Sequence, residues 1–193
     1  MSFRQTPSQT VGPFFAYALT APQYGYEFSG IASGDLADDT VPGEHIRIVG
    51  RVLDGAGEPI PDALVEIWQA DAEGRYPHRA ALCESNTLFR GFGRFGTGTD
   101  PQHRFIFHTI KPGPVEEQAP HINVVVFMRG LLSHAYTRIY FSDEAQTNAR
   151  DPVLLSVPEE RRPTLIARRD GAAPTYRFDI RMQGADETVF FDV

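Results

Sequence analysis

At 193 residues and 41% apolar, the chain can bury one full-sized core and is too apolar to stay unfolded. Its net charge of −7 argues against a nucleic-acid binder, which needs a basic stripe to neutralise phosphates. A single cysteine, Cys83, forms no internal disulfide, as expected in a reducing compartment. No run has signal-peptide or membrane-spanning length, so the reading is soluble, cytoplasmic and not membrane-bound.

The first 43 residues read as an irregular arm around a core formed by residues 44–193, the whole making one domain over 1–193. Phe3, Phe14, Phe15 and Tyr17 give that arm more apolar surface than a free segment tolerates, so it is expected to pack on a partner chain. Residues 44–53 put Ile46 and Ile48 on one face with polar neighbours between them, the period of a half-buried strand. A Gly- and Pro-bearing turn over 54–59 leads into a second strand, 63–70, with Leu64, Glu66 and Trp68 opposite Val65 and Ile67. Further strands are expected over 104–110, 121–129, 134–141, 175–183 and 187–191. Helix signals are few: a short turn over 145–149 after Ser142-Asp143-Glu144, and a short helix or irregular turn over 158–167. The stretches 22–42 and 76–98 read as long loops. Many short strands with frequent turns predict an all-β, antiparallel β-sandwich.

Few residues stand out chemically. His121 and Asn123 sit two apart on a strand and therefore share a face. A neutral amide is a weak donor to iron or zinc, so the pair reads more simply as a hydrogen-bonded couple than as a metal site. No other histidine has ligand spacing, and no nucleophile elbow, phosphate loop or dinucleotide fingerprint is present. Thr10-Val11-Gly12-Pro13-Phe14 offers backbone that can approach a ligand closely. Arg129, at a strand end before Gly130, can clamp a carboxylate with two parallel bonds or form a surface ion pair. Cys83 in its loop is weak evidence for a reactive thiol. Pattern alone stops short of a reaction.

Two strings go further. The run from Gly50-Arg51-Val52-Leu53-Asp54 through Val65-Glu66-Ile67-Trp68-Gln69-Ala70-Asp71 to Gly74-Arg75-Tyr76 resembles the core of intradiol ring-cleaving dioxygenases. Thr109-Ile110-Lys111-Pro112-Gly113-Pro114 followed by Ala119-Pro120-His121-Ile122, the opening Thr6 to Phe15 and the closing Tyr176 to Ile180 extend the resemblance over nearly the whole chain. The resemblance implies a β-sandwich and ferric, non-haem iron held by two tyrosines and two histidines. Here those positions fall at Val115, Cys83, His121 and Asn123, leaving one of four ligands. An arginine and a glutamine that assist chemistry in iron-bearing chains fall at Gln118 and Arg138. The pattern is that of iron-free α subunits, which pair with a homologous iron-bearing β subunit and assemble into higher hetero-oligomers. By the same resemblance Thr10, Gly12, Pro13 and Arg129 line the partner's pocket, with Arg129 facing the acid group of protocatechuate. A related enzyme acting on 4-sulfocatechol and a metal-free, transthyretin-like scaffold are the alternative readings.

Overall fold

The structure is a computed structural model and describes residues 11–12, 14–27, 31–77, 89–171 and 173–192. Among the described residues nine strands join in one sheet: β1 (His45–Leu53), β2 (Leu64–Gln69), β3 (Phe92–Gly96), β4 (Arg104–Ile110), β5 (His121–Phe127), β6 (Ala135–Phe141), β7 (Ile166–Arg169), β8 (Thr175–Arg177) and β9 (Ile180–Arg181). Their order is β3-β2-β5-β6-β7-β8-β1-β4, with β9 also on β1. The path folds over at β6 and β7, so that β3-β2-β5-β6 faces β8-β1-β4. Pairing is antiparallel except where β1 meets β8 and β9 and where β6 meets β7.

Alternation explains the core. Val65 and Ile67 of β2, Ile122, Val124 and Val126 of β5, and Ile139 of β6 point between the layers. They meet Ile46, Ile48 and Val52 of β1, Phe105 and Phe107 of β4, and Tyr176 of β8. Full burial of each such side chain contributes about 1.5–3 kcal/mol. A smaller cluster of Ala119, Tyr140, Leu154, Val157 and Leu165 holds the segment after β6 against the outside of the sheet. That segment contains short helices, Ala145–Asn148 and Pro152–Ser156, and a 3-10 turn, Glu159–Leu165.

The expected sandwich is present, with local departures. β3 lies inside the stretch expected to be loop; Gly93 and Gly96 dilute its strand signal, and its pairing with β2 makes the strand. β7 follows the 3-10 turn where only a short helix or turn was expected. The strand expected over 175–183 is split at Phe178 and Asp179, and the one over 187–191 reduces to a single bridge, Phe191 to Tyr136. The arm is less irregular than its sequence suggests. Phe15–Leu19 is helical and Ala21–Tyr24 is a 3-10 turn, while Leu36 and Val41 join the main core.

Candidate functional site

On the outer face of β5, His121 and Asn123 point the same way, as their spacing dictates. The loop that carries Tyr76 covers them. Gly74 fixes its course: with φ at +78° it passes so close to Pro114 that a Cβ would lie 1.9 Å from that carbonyl oxygen. Trp68 of β2 stacks on the Tyr76 ring at 5.6 Å.

The polar groups then form one directional chain. Tyr136 donates to Asn123 Oδ1 at 2.5 Å, and Asn123 Nδ2 donates to the Tyr76 hydroxyl at 3.0 Å. The Tyr76 hydroxyl lies 3.4 Å from His121 Nε2, and His121 Nδ1 lies 2.8 Å from the Ala119 carbonyl. A carbonyl only accepts, so the proton sits on Nδ1 and Nε2 accepts from Tyr76. The Ala119 N–H donates in turn to Asp151 Oδ2 at 2.8 Å. Asp151 is fully buried, caps the Pro152–Ser156 helix through Leu154 N–H at 2.7 Å and accepts from the Tyr140 hydroxyl at 3.1 Å. Beside this chain Arg138 donates to Gln118 Oε1 at 2.6 Å, joining the two positions singled out by the sequence.

Burial pushes the His121 imidazole below its ordinary value and the Tyr76 and Tyr140 phenols above theirs. All three therefore stay neutral near pH 7. Ferric iron favours anionic phenolate donors; this pocket offers one imidazole, an amide, and buried phenols held protonated. Val115 contributes a methyl-bearing side chain with no donor atom. The described residues of this pocket do not fit ferric iron. Among the described residues, no group of three or more His, Cys, Asp or Glu side chains is placed to hold any metal ion.

A second region gathers the described part of the opening loop. The Gly12 carbonyl accepts from the Phe15 N–H at 3.1 Å, and the Phe15 ring packs on Phe127 at 5.7 Å, at the end of β5 and two residues before Arg129. Arg129 is 68% exposed at its side chain and forms an ion pair through Nε with Asp62. No second ion pair of the Arg129 guanidinium is present among the described residues. Phe14, 78% exposed, and Tyr17 surround the same end of the molecule with apolar surface. Thr10, Pro13 and Cys83 lie outside the described residues. Tyr76, Tyr136, Asp151 and Asp62 were not anticipated. The Asp151-Pro152 pair carried a helix-cap signal, and the tyrosines carried none beyond their place on strands and a turn.

Residues 19–184 match the family model described as Dioxygenase. The chain is 54% identical to the protocatechuate 3,4-dioxygenase alpha chain of Burkholderia cepacia, over 100% of this chain and 99% of that one. It is 36% identical to the protocatechuate 3,4-dioxygenase beta chain of the same organism, over 87% and 79%. In fold it is similar to an intradiol ring-cleavage dioxygenase from Tetranychus urticae, at a TM-score of 0.59 and 18% identity, over 81% of this chain and 88% of that one.

Proposed function

This chain belongs to the intradiol ring-cleaving dioxygenase family, and from that premise we propose that it is the subunit that holds no iron in a protocatechuate 3,4-dioxygenase. The complete enzyme opens the ring of protocatechuate with O2 to give 3-carboxy-cis,cis-muconate, a step in aromatic catabolism. The observation that carries the subunit assignment is the closed Tyr136–Asn123–Tyr76–His121 chain, which occupies with neutral hydrogen bonds the face where ferric ligands belong. Ferric iron, bound by a homologous β chain, supplies the activation of the catecholate.

This chain's own residues bind and orient. The terminal nitrogens of Arg129 receive the substrate's carboxylate, while Asp62 holds Nε and aims the fork. Gly12, with no atom within 4 Å of where a Cβ would stand, leaves its backbone open to a neighbouring chain. Thr10 and Pro13 complete the loop lent to the partner's pocket. The exposed Phe14 and Tyr17 are covered when the β chain docks, excluding water from the shared site. Higher assembly repeats this αβ pair. Similarity to chains named for protocatechuate favours that acid over 4-sulfocatechol, and family membership weighs against a stand-alone scaffold.

The test is to purify the chain alone and with its co-expressed β homologue. The expected result is negligible iron and no oxygen uptake alone, and about one iron per αβ pair with protocatechuate-dependent uptake together. Stoichiometric iron on the isolated chain refutes the assignment.

A further inference from the structure

A cavity of about 400 Å³ lies between the arm and strands β1, β3 and β4, within the size range of small-molecule sites. It is roofed by residues 33–35, which cross the sandwich as a strap. The Ser33 carbonyl accepts from the Arg94 N–H at 2.9 Å and the Gly34 carbonyl from the His108 N–H at 2.8 Å. Gly34 sits so close to β4 that a Cβ would meet the Ile106 carbonyl oxygen at 2.6 Å. Pro22, Ala32, Phe95 and Ile106 give the cavity apolar walls.

Its polar groups are unevenly satisfied. Arg94 is bound to Glu66 at 2.7 Å, and His108 to Asp35 at 2.7 Å. Arg47, beside His108 on the paired strand, has no ion-pair partner among the described residues, and its Nε is buried without any hydrogen bond. A buried donor left unmade is costly, and a guanidinium is among the most costly to leave so. No residue of the Tyr76 pocket and neither Arg129 nor Asp62 lines this cavity.

We propose that this cavity is a binding site for a small carboxylate with a flat apolar body, its carboxylate taken by Arg47 and its ring lying against Phe95, Pro22 and Ile106. The compound class is that of aromatic monocarboxylates. The carboxylate meets an Arg47 guanidinium that lines the cavity and has no ion-pair partner among the described residues. The site stands independently of the α-subunit reading, because none of its residues serves that role.

The experiment titrates the full-length chain, alone and in complex with its β homologue, with 4-fluorobenzoate followed by ¹⁹F NMR. The expected result is a saturable bound signal that survives Arg129→Ala and whose Kd rises at least tenfold in Arg47→Gln. Arg47→Lys, which keeps the charge but not the planar two-donor fork, falls between them. Thermal melting of each variant verifies folding, and if Arg47→Gln does not fold, Arg47→Lys carries the comparison. A bound signal unaffected by the Arg47 substitutions, or one abolished by Arg129→Ala alone, overturns the proposal. Survival of the Arg47-dependent signal in a chain that never acquires β-dependent activity refutes the α-subunit role and leaves this site standing.

Discussion

Replacing Arg129 with alanine separates recognition of the acid group from everything else the residue touches. In the free chain its only ion pair among the described residues is with Asp62, at a side chain 68% exposed. Such pairs are worth about 0.2–1 kcal/mol. At roughly 2–4 °C per kcal/mol for a chain of this size, the melting temperature should fall by no more than ~4 °C. Covered by a partner chain and facing a carboxylate, the same guanidinium contributes about 2–5 kcal/mol, and each 1.4 kcal/mol or so is tenfold in rate. The αβ assembly carrying Arg129→Ala should therefore lose roughly 30-fold or more in kcat/KM on protocatechuate. Catechol has no carboxylate and should lose far less. Arg129→Lys should recover part of the loss, since an ammonium cannot offer two parallel donors. The assay is oxygen uptake with both substrates at matched iron content. Equal losses on the two substrates, or a melting shift well beyond that bound, mean that Arg129 supports the interface or the fold instead.

Asp151→Ala removes a helix cap and strands the Ala119 N–H and the Tyr140 hydroxyl. About 2–4 kcal/mol should be lost, and a denaturation midpoint within ~1 kcal/mol of wild type would contradict that network. Asn123→His should not bring iron to the isolated chain, because Tyr76 and Tyr136 lose their partner and burial keeps the Tyr76 phenol protonated. Metal analysis finding stoichiometric iron would contradict the donor argument. Burial holds His121 below the ordinary imidazole value of about 6.5 in the fold, so the unfolded chain takes the proton first. Its contribution to stability is complete above pH 6.5 and is lost as the pH falls through the folded value. Chemical denaturation from pH 7.5 down to 5 should show His121→Gln losing less stability than wild type. Parallel curves would show that His121 is not the group responsible.

The sandwich was legible because β2, β4 and β5 largely alternate in burial, as does the start of β1, a period that residue order displays. β3 and β7 were not, since glycines in one and charged arginines in the other carry little propensity, and neighbours already in place recruit them into the sheet. The pairing of His121 with Asn123 on one face followed from spacing. That both would be spoken for by Tyr76, 45 and 47 residues away, did not, because a hydrogen bond of that kind depends on a loop course set by Gly74 and Pro114. Arg129 was legible as a strand-end cation, but its tie to Asp62 joins separate segments that no local pattern connects.

The one-way run of donors from Tyr136 to Asp151 bears on how such a chain drifts over generations. Each inner side chain uses its neighbour's lone pair or proton, so substituting Asn123 or Tyr76 strands a partner on either side in a half-buried setting. Placing a second imidazole at position 123 therefore has to rearrange Tyr76 and Tyr136 as well, so the cluster changes as a unit and not one residue at a time.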